Sequence, residues 1–463
     1  MEGNLKWSFV PIGTIGYLDI QDVDGLMSHK VAEQYESYPY PPRNPEDERT
    51  RLNRPCLSDL ARLNFYCFRG RRDFRDNFRA LVAGGGTGDA TIFLAEQLKG
   101  SDASVVYLDL SGSSMEIARR RAEIRGLANI TWMQGSLLDL SNMGLEPFDY
   151  ISCTGVLHHL EDPQAGLMAL RTVLKDDGAM DMMVYGKYGR TGVYQIQELM
   201  RLINHGEKTE QMKVWNARQV LEALPTTNWF KRGEELIADH TRGGDAGIYD
   251  LLLHSLDRAY SIPELYELLG SARLHLIEFV PHRRAAYLPE FTLRSSPLLT
   301  IVKAMPLPDQ QAIAELMCGT IAKHEFYAAP RRDTVASLTD LDNVPFFTYE
   351  QVRGPDLYEK AQASADKSLS IRAPQGVTLH VALEGLAGLV LKHLDGRRTL
   401  AEILRLVRED SSARPADDEI MARFRSVYDI LRFGDMLMLR HSSVPDPPVS
   451  ATDGCDTQVI EGQ

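Results

Sequence analysis

From residue 79 to residue 186, short apolar runs alternate with stretches of helical spacing. The runs are RALVA (79–83), ASVVYLDL (103–110), NITWMQG (129–135), FDYISCTG (148–155) and AMDMMVYG (179–186). Each is short enough for a buried strand and too short for a helix that buries one face. Between them lie DATIFLAEQLKG (89–100), a segment opened by Ser113 and Glu116, and one opened by Asp162 and Pro163. Ser113 and Glu116 have the spacing of a capping box, and Pro163 fits a first helical turn, where no amide is needed. Strand–helix alternation of this kind predicts an α/β fold, a doubly wound, mostly parallel sheet with crossover helices.

The alternation breaks at about 190–255, where the sequence is mostly helical, and IPELYELLGSARLHLIEFV (262–280) resumes it as helix plus strand. The middle stretch therefore reads as an insertion beyond the carboxyl end of the fifth strand, the edge where open α/β sheets bind ligands. Residues 286–335 read as helical, with DQQAIAELMCGTIAKHEFYA (309–328) the clearest case, and 331–376 carry few signals of order. Three helices and a strand then follow, the second helix opened by a Thr399–Glu402 capping box and the third stopped by Gly434. At the other end, SHKVAEQYESYPYPPRNP (28–45) holds Pro39, Pro41 and Pro42, which predict a rigid extended arm rather than a helix. The expected organisation is an arm and lid over 1–55, a sheet domain over 56–285 and a helical region and linker over 286–345. A small α+β module over 370–445 and a disordered tail over 446–463 complete it. On these boundaries the sheet is complete by about residue 345, and removing the C-terminal residues beyond that point is expected to spare ligand binding.

Composition narrows the functional classes. A chain of 463 residues exceeds one ordinary core. Its net charge of −13 argues against sequence-independent binding to nucleic acid, which rests on cation–phosphate contacts. Residues 43–79 do carry ten arginines against six acids, but in an acidic chain these read as solvated helix faces. No apolar run approaches a membrane span, and the N-terminal residues lack the pattern of a secretory signal. The five cysteines are scattered, without a C-x-x-C pair, which fits a reducing cytoplasm and neither a disulfide framework nor a zinc site.

The densest signal is LVAGGGTGDA (81–90). A dinucleotide fingerprint built on Gly84 and Gly86 requires glycine at 89, and that residue is Asp89. The spacing present is G-x-G-x-G, at Gly84, Gly86 and Gly88, and no P-loop motif occurs. Asp109 ends the second run, 21 positions beyond Gly88, where a carboxylate can accept both hydroxyls of a ribose. A ligand with a ribose and no pyrophosphate fits these facts.

With these motifs the chain resembles the class I S-adenosylmethionine-dependent methyltransferases. LVAGGGTGDA resembles their glycine loop, VVYLDLS the ribose-binding strand end, QGSLLDL the adenine turn and FDYISCTGVLHHLEDP the fourth-strand motif. The resemblance implies S-adenosylmethionine as cofactor, held by Gly84, Gly85, Gly86, Gly88, Asp89, Asp109, Leu110, Ser136, Leu137 and Thr154. Two positions depart from the family. Val82 stands where an acid is common, which leaves the cofactor's ammonium to another group, with Asp89 the substitute at hand. Ser136 stands where Asp is common, and its hydroxyl can still bond the adenine amine. Residues 249–269 and 321–328 resemble bacterial methyltransferases with a helical regulatory region, some acting on protein lysines, and the last module resembles winged-helix units that hold peptides.

Candidates for the chemistry follow the fourth and fifth strands. His158 and His159 are suited to take a proton from the nucleophile, since histidine titrates near neutrality; the alternative is that LHHL packs the fold. Tyr185 and Tyr188 reach the same sheet edge, and Tyr38 and Tyr40 lie on the arm. Arg190, His254 and Asp257 read as solvated flanks of the insertion. No second His or carboxylate stands at metal-ligand spacing from the pair, so no metal is expected. The expected enzyme is a cytoplasmic methyltransferase acting on a protein, peptide or small-molecule acceptor, with a protein or peptide nitrogen first. A small-molecule biosynthetic enzyme and a non-catalytic cofactor sensor are the alternatives. Nucleic-acid acceptors are disfavoured by the balanced charge of residues 396–432, no membrane is expected, and a homo-oligomer is left open.

Overall fold

The computed structural model describes residues 31–445 except 208, 281–283, 350, 366 and 373–377; the expected tail and the first part of the arm lie outside the described residues. Eight strands form one sheet: β1 (Arg79–Ala83), β2 (Ser104–Asp109), β3 (Ile130–Gln134), β4 (Phe148–Thr154), β5 (Leu174–Gly186), β6 (Ala259–Tyr260), β7 (His275–Phe279) and β8 (Lys323–Ala329). Their order is β3-β2-β1-β4-β5-β8-β7, with the short β6 paired to β5. All pairings are parallel except those of β8, which lies antiparallel between β5 and β7. Chain order runs outward from β1 to β3 and then restarts at β4 on the other side of β1. This reversal opens a crevice at the carboxyl ends of β1 and β4, where ligands of such sheets bind. Ala80, Leu81 and Ala83 in β1 are fully buried, as in a strand covered on both faces.

Helix α1 spans residues 31–37 and α2 spans Leu60–Cys67; α3 (Asp89–Gln97), α4 (Gly112–Arg125) and α5 (Pro163–Thr172) are the crossovers. Asp162 caps α5 by accepting from the amides of Gln164 and Ala165, with Pro163 in the first turn as the sequence predicts. Helix α4 corrects the capping expectation: its cap is Ser111, which accepts from the amide of Ser114. Ser113 instead bonds the carboxylate of Glu36, because the helix starts one residue before it. The arm is likewise part helix: residues 31–37 are helical, and the chain leaves helix only where the prolines begin.

Two boundaries move. The helix Leu307–Cys318 stops at Gly319 (φ 65°), and KHEFYAA is strand β8 rather than more helix, so the sheet takes a strand from beyond residue 285. The stretch expected as a linker contains β9 (Asn343–Phe347), which pairs antiparallel with β12 (Leu437–His441) at the far end of the C-terminal module. The ribbon of β10 (Ser368–Arg372) and β11 (Thr378–Ala382), and helices Leu386–Lys392, Leu400–Asp410 and Asp417–Phe433, fill the interval. This module shares one apolar core with the sheet domain, running from Leu60 and Ala80 to Phe424 and Leu439. Asp435, fully buried, accepts from Arg62 at 3.2 Å, from Arg284 at 3.1 Å and from Tyr66. Removing a buried charge of this kind strands its partners, so the C-terminal region is built into the fold. The insertion packs a small core of its own around Val193, Ile196, Phe230 and Leu251. Among the described residues no helix is long and apolar enough to cross a membrane.

Candidate functional site

The crevice holds a cavity of about 430 Å³ at the carboxyl ends of β1, β2 and β4. Its floor is the glycine loop. Space for each missing side chain is already taken by the protein: a Cβ on Gly84 meets Val156 at 2.2 Å and one on Gly85 meets the Tyr107 ring at 2.2 Å. Gly88, at φ 101°, caps α3, and a Cβ there would meet Ala118 at 2.8 Å; a Cβ on Gly86 would meet the carbonyl of Tyr40 at 3.0 Å. Glycine is thus required here for close approach by the second strand, the α4 helix and the arm. Its backbone is left facing the cavity.

Asp109 ends β2 at the cavity wall. Its oxygens accept from the amides of Gly86 at 2.7 Å and Ser111 at 2.8 Å, and burial raises its pKa against the pull of those amides. A carboxylate offers about four lone-pair sites, so capacity remains for donors from a ligand. Ser136 opens the turn Leu137–Asn142 by accepting from the amide of Leu138 at 3.2 Å. All ten residues singled out from the glycine loop to Thr154 line this one cavity.

Asp89 is occupied. It accepts from Arg43 at 2.9 Å, Arg121 at 2.7 Å and Asn53 at 3.1 Å. Burial raises its pKa, but the Arg43 and Arg121 guanidiniums outweigh that and hold it at about 2. This corrects its expected part as the substitute for the acid missing at Val82: two guanidiniums already neutralise it.

The opposite wall gathers side chains from four separate segments. His159 and Tyr185 line the cavity, whereas His158 lies behind them, fully buried, its ring 3.9 Å from that of Tyr185. Burial, then the neighbouring His159, pushes the His158 pKa well below its usual value, and its ring packs against Tyr185 rather than facing the cavity. Tyr188 is half-buried and does not line the cavity. Arg190 and Asp257 form a buried ion pair at 3.0 Å, with Arg190 stacked 3.5 Å over the Tyr185 ring; neither is the solvated flank expected from sequence. Tyr40 lines the cavity and donates to Asp239, while Tyr38 stacks on Tyr249 outside it.

Two residues of this wall were missed. Tyr35 lines the cavity from α1, and Asp250 from a single π-helical turn at Tyr249–Leu253. Tyr35 donates to one oxygen of Asp250 at 2.9 Å and Tyr185 to the other at 3.2 Å. The visible signal was one acid inside the apolar run YDLLLH; the π turn that aims it has no sequence signature. His254 stacks on His159 with ring centres 3.8 Å apart and planes 19° apart. Ligand atoms of His159, Asp250 and His254 lie within 4.8 Å of one another, although the sequence suggested no such grouping. A metal must lie in the plane of each imidazole it binds, about 2 Å from nitrogen. Rings stacked this way share no such point, and among the described residues the hydrogen-bond partners of the three are Leu256, Tyr35 and Tyr185 rather than one another.

Leu256 fixes both tautomers. Its amide donates to Nδ1 of His254 at 3.1 Å, which leaves the proton of that neutral ring on Nε2. Its carbonyl lies 2.9 Å from Nδ1 of His159, which therefore donates to it, so Nε2 is the nitrogen of that ring not held by Leu256.

Comparison with known proteins agrees. A family model described as a methyltransferase domain matches residues 81–180. An uncharacterized protein of Synechococcus is 28% identical over 72% of this chain and 78% of its own length. The tRNA 5-carboxymethoxyuridine methyltransferase of Escherichia coli K12 is 31% identical over 24% of this chain and 41% of that enzyme. Among solved structures, PKMT2 from Rickettsia typhi in complex with AdoHcy shares the fold, with a TM-score of 0.58 at 14% identity over 84% of this chain and 76% of that one. The glycine loop, the Asp109 strand end and the β1/β4 crevice in one cavity thus belong to a methyltransferase domain over residues 81–180, and the enzyme is an S-adenosylmethionine-dependent methyltransferase.

Proposed function

We propose that the enzyme methylates a nitrogen of a protein or peptide acceptor at the His159–Tyr185 end of the cavity. In this reading the backbone of Gly84, Gly85, Gly86 and Gly88 carries the methionine part of the cofactor, Asp109 its ribose, and Leu110, Ser136 and Leu137 its adenine. Thr154 forms the floor at the reacting end, and Asp89 braces the glycine loop against the arm. When bound, the cofactor supplies an electrophilic methyl carbon, so the protein's own tasks are to align the acceptor, exclude water and take a proton.

The observation that carries this reading is the contact of His159 Nδ1 with the Leu256 carbonyl at 2.9 Å in a residue that lines the cavity, which leaves Nε2 as the ring nitrogen available to take a proton. Water is kept out by the arm: Thr87 donates to the Pro41 carbonyl at 2.7 Å, and Ser111 to that of Tyr35 at 3.1 Å. A protein or peptide acceptor is favoured because no described residue beyond 329 lines the cavity, although that region is built rigidly onto the domain. Such a module suits binding remote from the transferred group. A small-molecule acceptor is the second reading, favoured by the depth to which the arm covers the cavity. Incubation of the full chain with methyl-labelled cofactor and a fractionated lysate decides: label in protein or peptide supports the first, and label confined to small molecules replaces it with the second.

A further inference from the structure

Asp250 lines the cavity, and two further carboxylates in and just after the insertion, Asp239 and Asp257, act on it from behind; those two are matched by cations. Asp257 pairs with Arg190 at 3.0 Å, and Asp239 lies 3.8 Å from Lys323. Asp250 forms no ion pair among the described residues; its two hydrogen bonds come from the neutral phenols of Tyr35 and Tyr185. It is buried within the protein yet lines the cavity. A buried carboxylate without a cation is costly, and a positively charged ligand relieves that cost.

We propose that Asp250, framed by Tyr35 and Tyr185, is the counter-charge for the acceptor's ammonium group, so that the acceptor is a primary or secondary amine rather than an alcohol. The proposal rests on the reading that the cofactor lies along the glycine loop. The amine arrives protonated, with a reference pKa of about 10.4 for lysine, and Asp250 holds that form beside the aromatic faces. One N–H bond of the ammonium then breaks, its electron pair stays on the amine nitrogen, and the proton goes to Nε2 of His159. The imidazolium so formed is steadied by the Leu256 carbonyl on Nδ1. His254, stacked on it, stays uncharged: burial, then His159 itself, pushes its pKa well below the usual value. The freed lone pair would then form the nitrogen–methyl bond as the cofactor's methyl–sulfur bond breaks, that bond's electron pair going to sulfur and S-adenosylhomocysteine being the leaving group.

Other charged and titratable groups bear on this step: Glu325 and Tyr40 also line the cavity, and Tyr40 donates to Asp239. Asp239 and Asp257 favour a cation beside Asp250, Arg190 and Lys323 oppose it, and their pairing with the two acids leaves Asp250 to attract the ligand. The geometry also corresponds to a second source of positive charge, the cofactor itself, and the test separates the two.

Full-length enzyme loaded with S-adenosylhomocysteine is titrated calorimetrically with n-butylammonium and with the similarly sized n-pentanol. Wild type is expected to prefer the ammonium, and the isosteric Asp250→Asn to bind it about 10- to 100-fold more weakly, the range for a lost hydrogen bond to charge. Pentanol binding and S-adenosylhomocysteine affinity should change less than about threefold, on the same basis that no charge is lost there. Equal binding of the two ligands by wild type overturns the proposal even if the variant fails to fold. A parallel loss of S-adenosylmethionine affinity in Asp250→Asn also overturns it, assigning the carboxylate to the cofactor. Failure of wild type to bind S-adenosylhomocysteine at all would instead sink the reading of the cofactor site on which the proposal rests.

Discussion

The two walls of the cavity reach the same place by different routes. The wall of Gly84, Asp109 and Ser136 comes from three successive strand ends, each joined to the next by one crossover, so neighbours in space are near neighbours in the chain. The wall of Tyr35, His159, Tyr185 and Asp250 draws on α1, the β4 exit, the end of β5 and the insertion; the contact of Tyr35 with His254 spans 219 positions. The first is made of backbone, one carboxylate and the Ser136 hydroxyl, the second of side chains whose meaning depends on their partners. A ligand part that is constant suits the first construction, and one that varies between enzymes suits the second.

Both walls stand on one core, and the largest expected effect tests that. Truncation after about residue 345 cuts through β9, removes its partner β12 and leaves Arg62, Arg284 and Tyr66 without Asp435. We expect the shortened chain to lose cooperative thermal unfolding and cofactor binding together. A truncated protein that melts sharply and binds S-adenosylmethionine with unchanged affinity would return the C-terminal region to the status of a separable module.

Legibility in the sequence divides along the same line. The five strand runs, the Asp162–Pro163 helix start and the cavity-lining positions from Gly84 to Thr154 were readable because each rests on local spacing. Strand β8 was not, since KHEFYAA continues a helical stretch and becomes a strand only by filling the gap between β5 and β7. Residues 31–37 were read as extended from the prolines after them, although those prolines bar helix only from about Tyr38 onward. Asp250 was invisible because its chemistry is created by Tyr35 and Tyr185, and Arg190 was misplaced because its partner, Asp257, lies across the insertion.

Next in size is the effect on the acceptor wall. His159→Ala should lower kcat by about 10²-fold, the low end for general base catalysis, with cofactor affinity nearly unchanged. The loss should shrink as pH rises, because a growing fraction of amine acceptor arrives already deprotonated. His158→Ala leaves a cavity behind Tyr185 and should affect stability more than the pH profile. Steady-state rates between pH 6 and 9 decide; a His159→Ala loss that is independent of pH would make His159 a packing residue like its neighbour.

The cofactor wall should respond in binding rather than in rate. Asp109→Ala is expected to cost about 1.5–3 kcal/mol of S-adenosylmethionine affinity, the value for hydrogen bonds to a charged group. Part of that loss reflects the Gly86 amide, which the carboxylate now holds at 2.7 Å. Calorimetry on Asp109→Asn separates the contributions, since the amide oxygen can still take the Gly86 bond while the charge is gone. Wild-type affinity in both variants would remove Asp109 from the site.

The smallest effect distinguishes two serines that sequence spacing confuses, and it probes the seam where the two walls meet. Ser111 caps α4, and removal of such a cap costs about 1 kcal/mol. Ser113 lies just inside the helix and bonds Glu36, which also accepts from the amide of Gly112. The Glu36 carboxylate, held by these donors, has its pKa lowered, the Ser113 hydroxyl first among the causes. It is mostly exposed, so its bond to Ser113 adds little to global stability. Ser111→Ala should therefore lower the melting temperature measurably at any pH. Ser113→Ala should leave it within error while loosening the arm, and with it Tyr35, from the cofactor wall. Hydrogen exchange at residues 31–40 reads that loosening directly. If Ser113→Ala destabilises the protein as much as Ser111→Ala and leaves exchange in the arm unchanged, the capping box suggested by Ser113 and Glu116 is the true helix start, and Glu36 is no anchor for the arm.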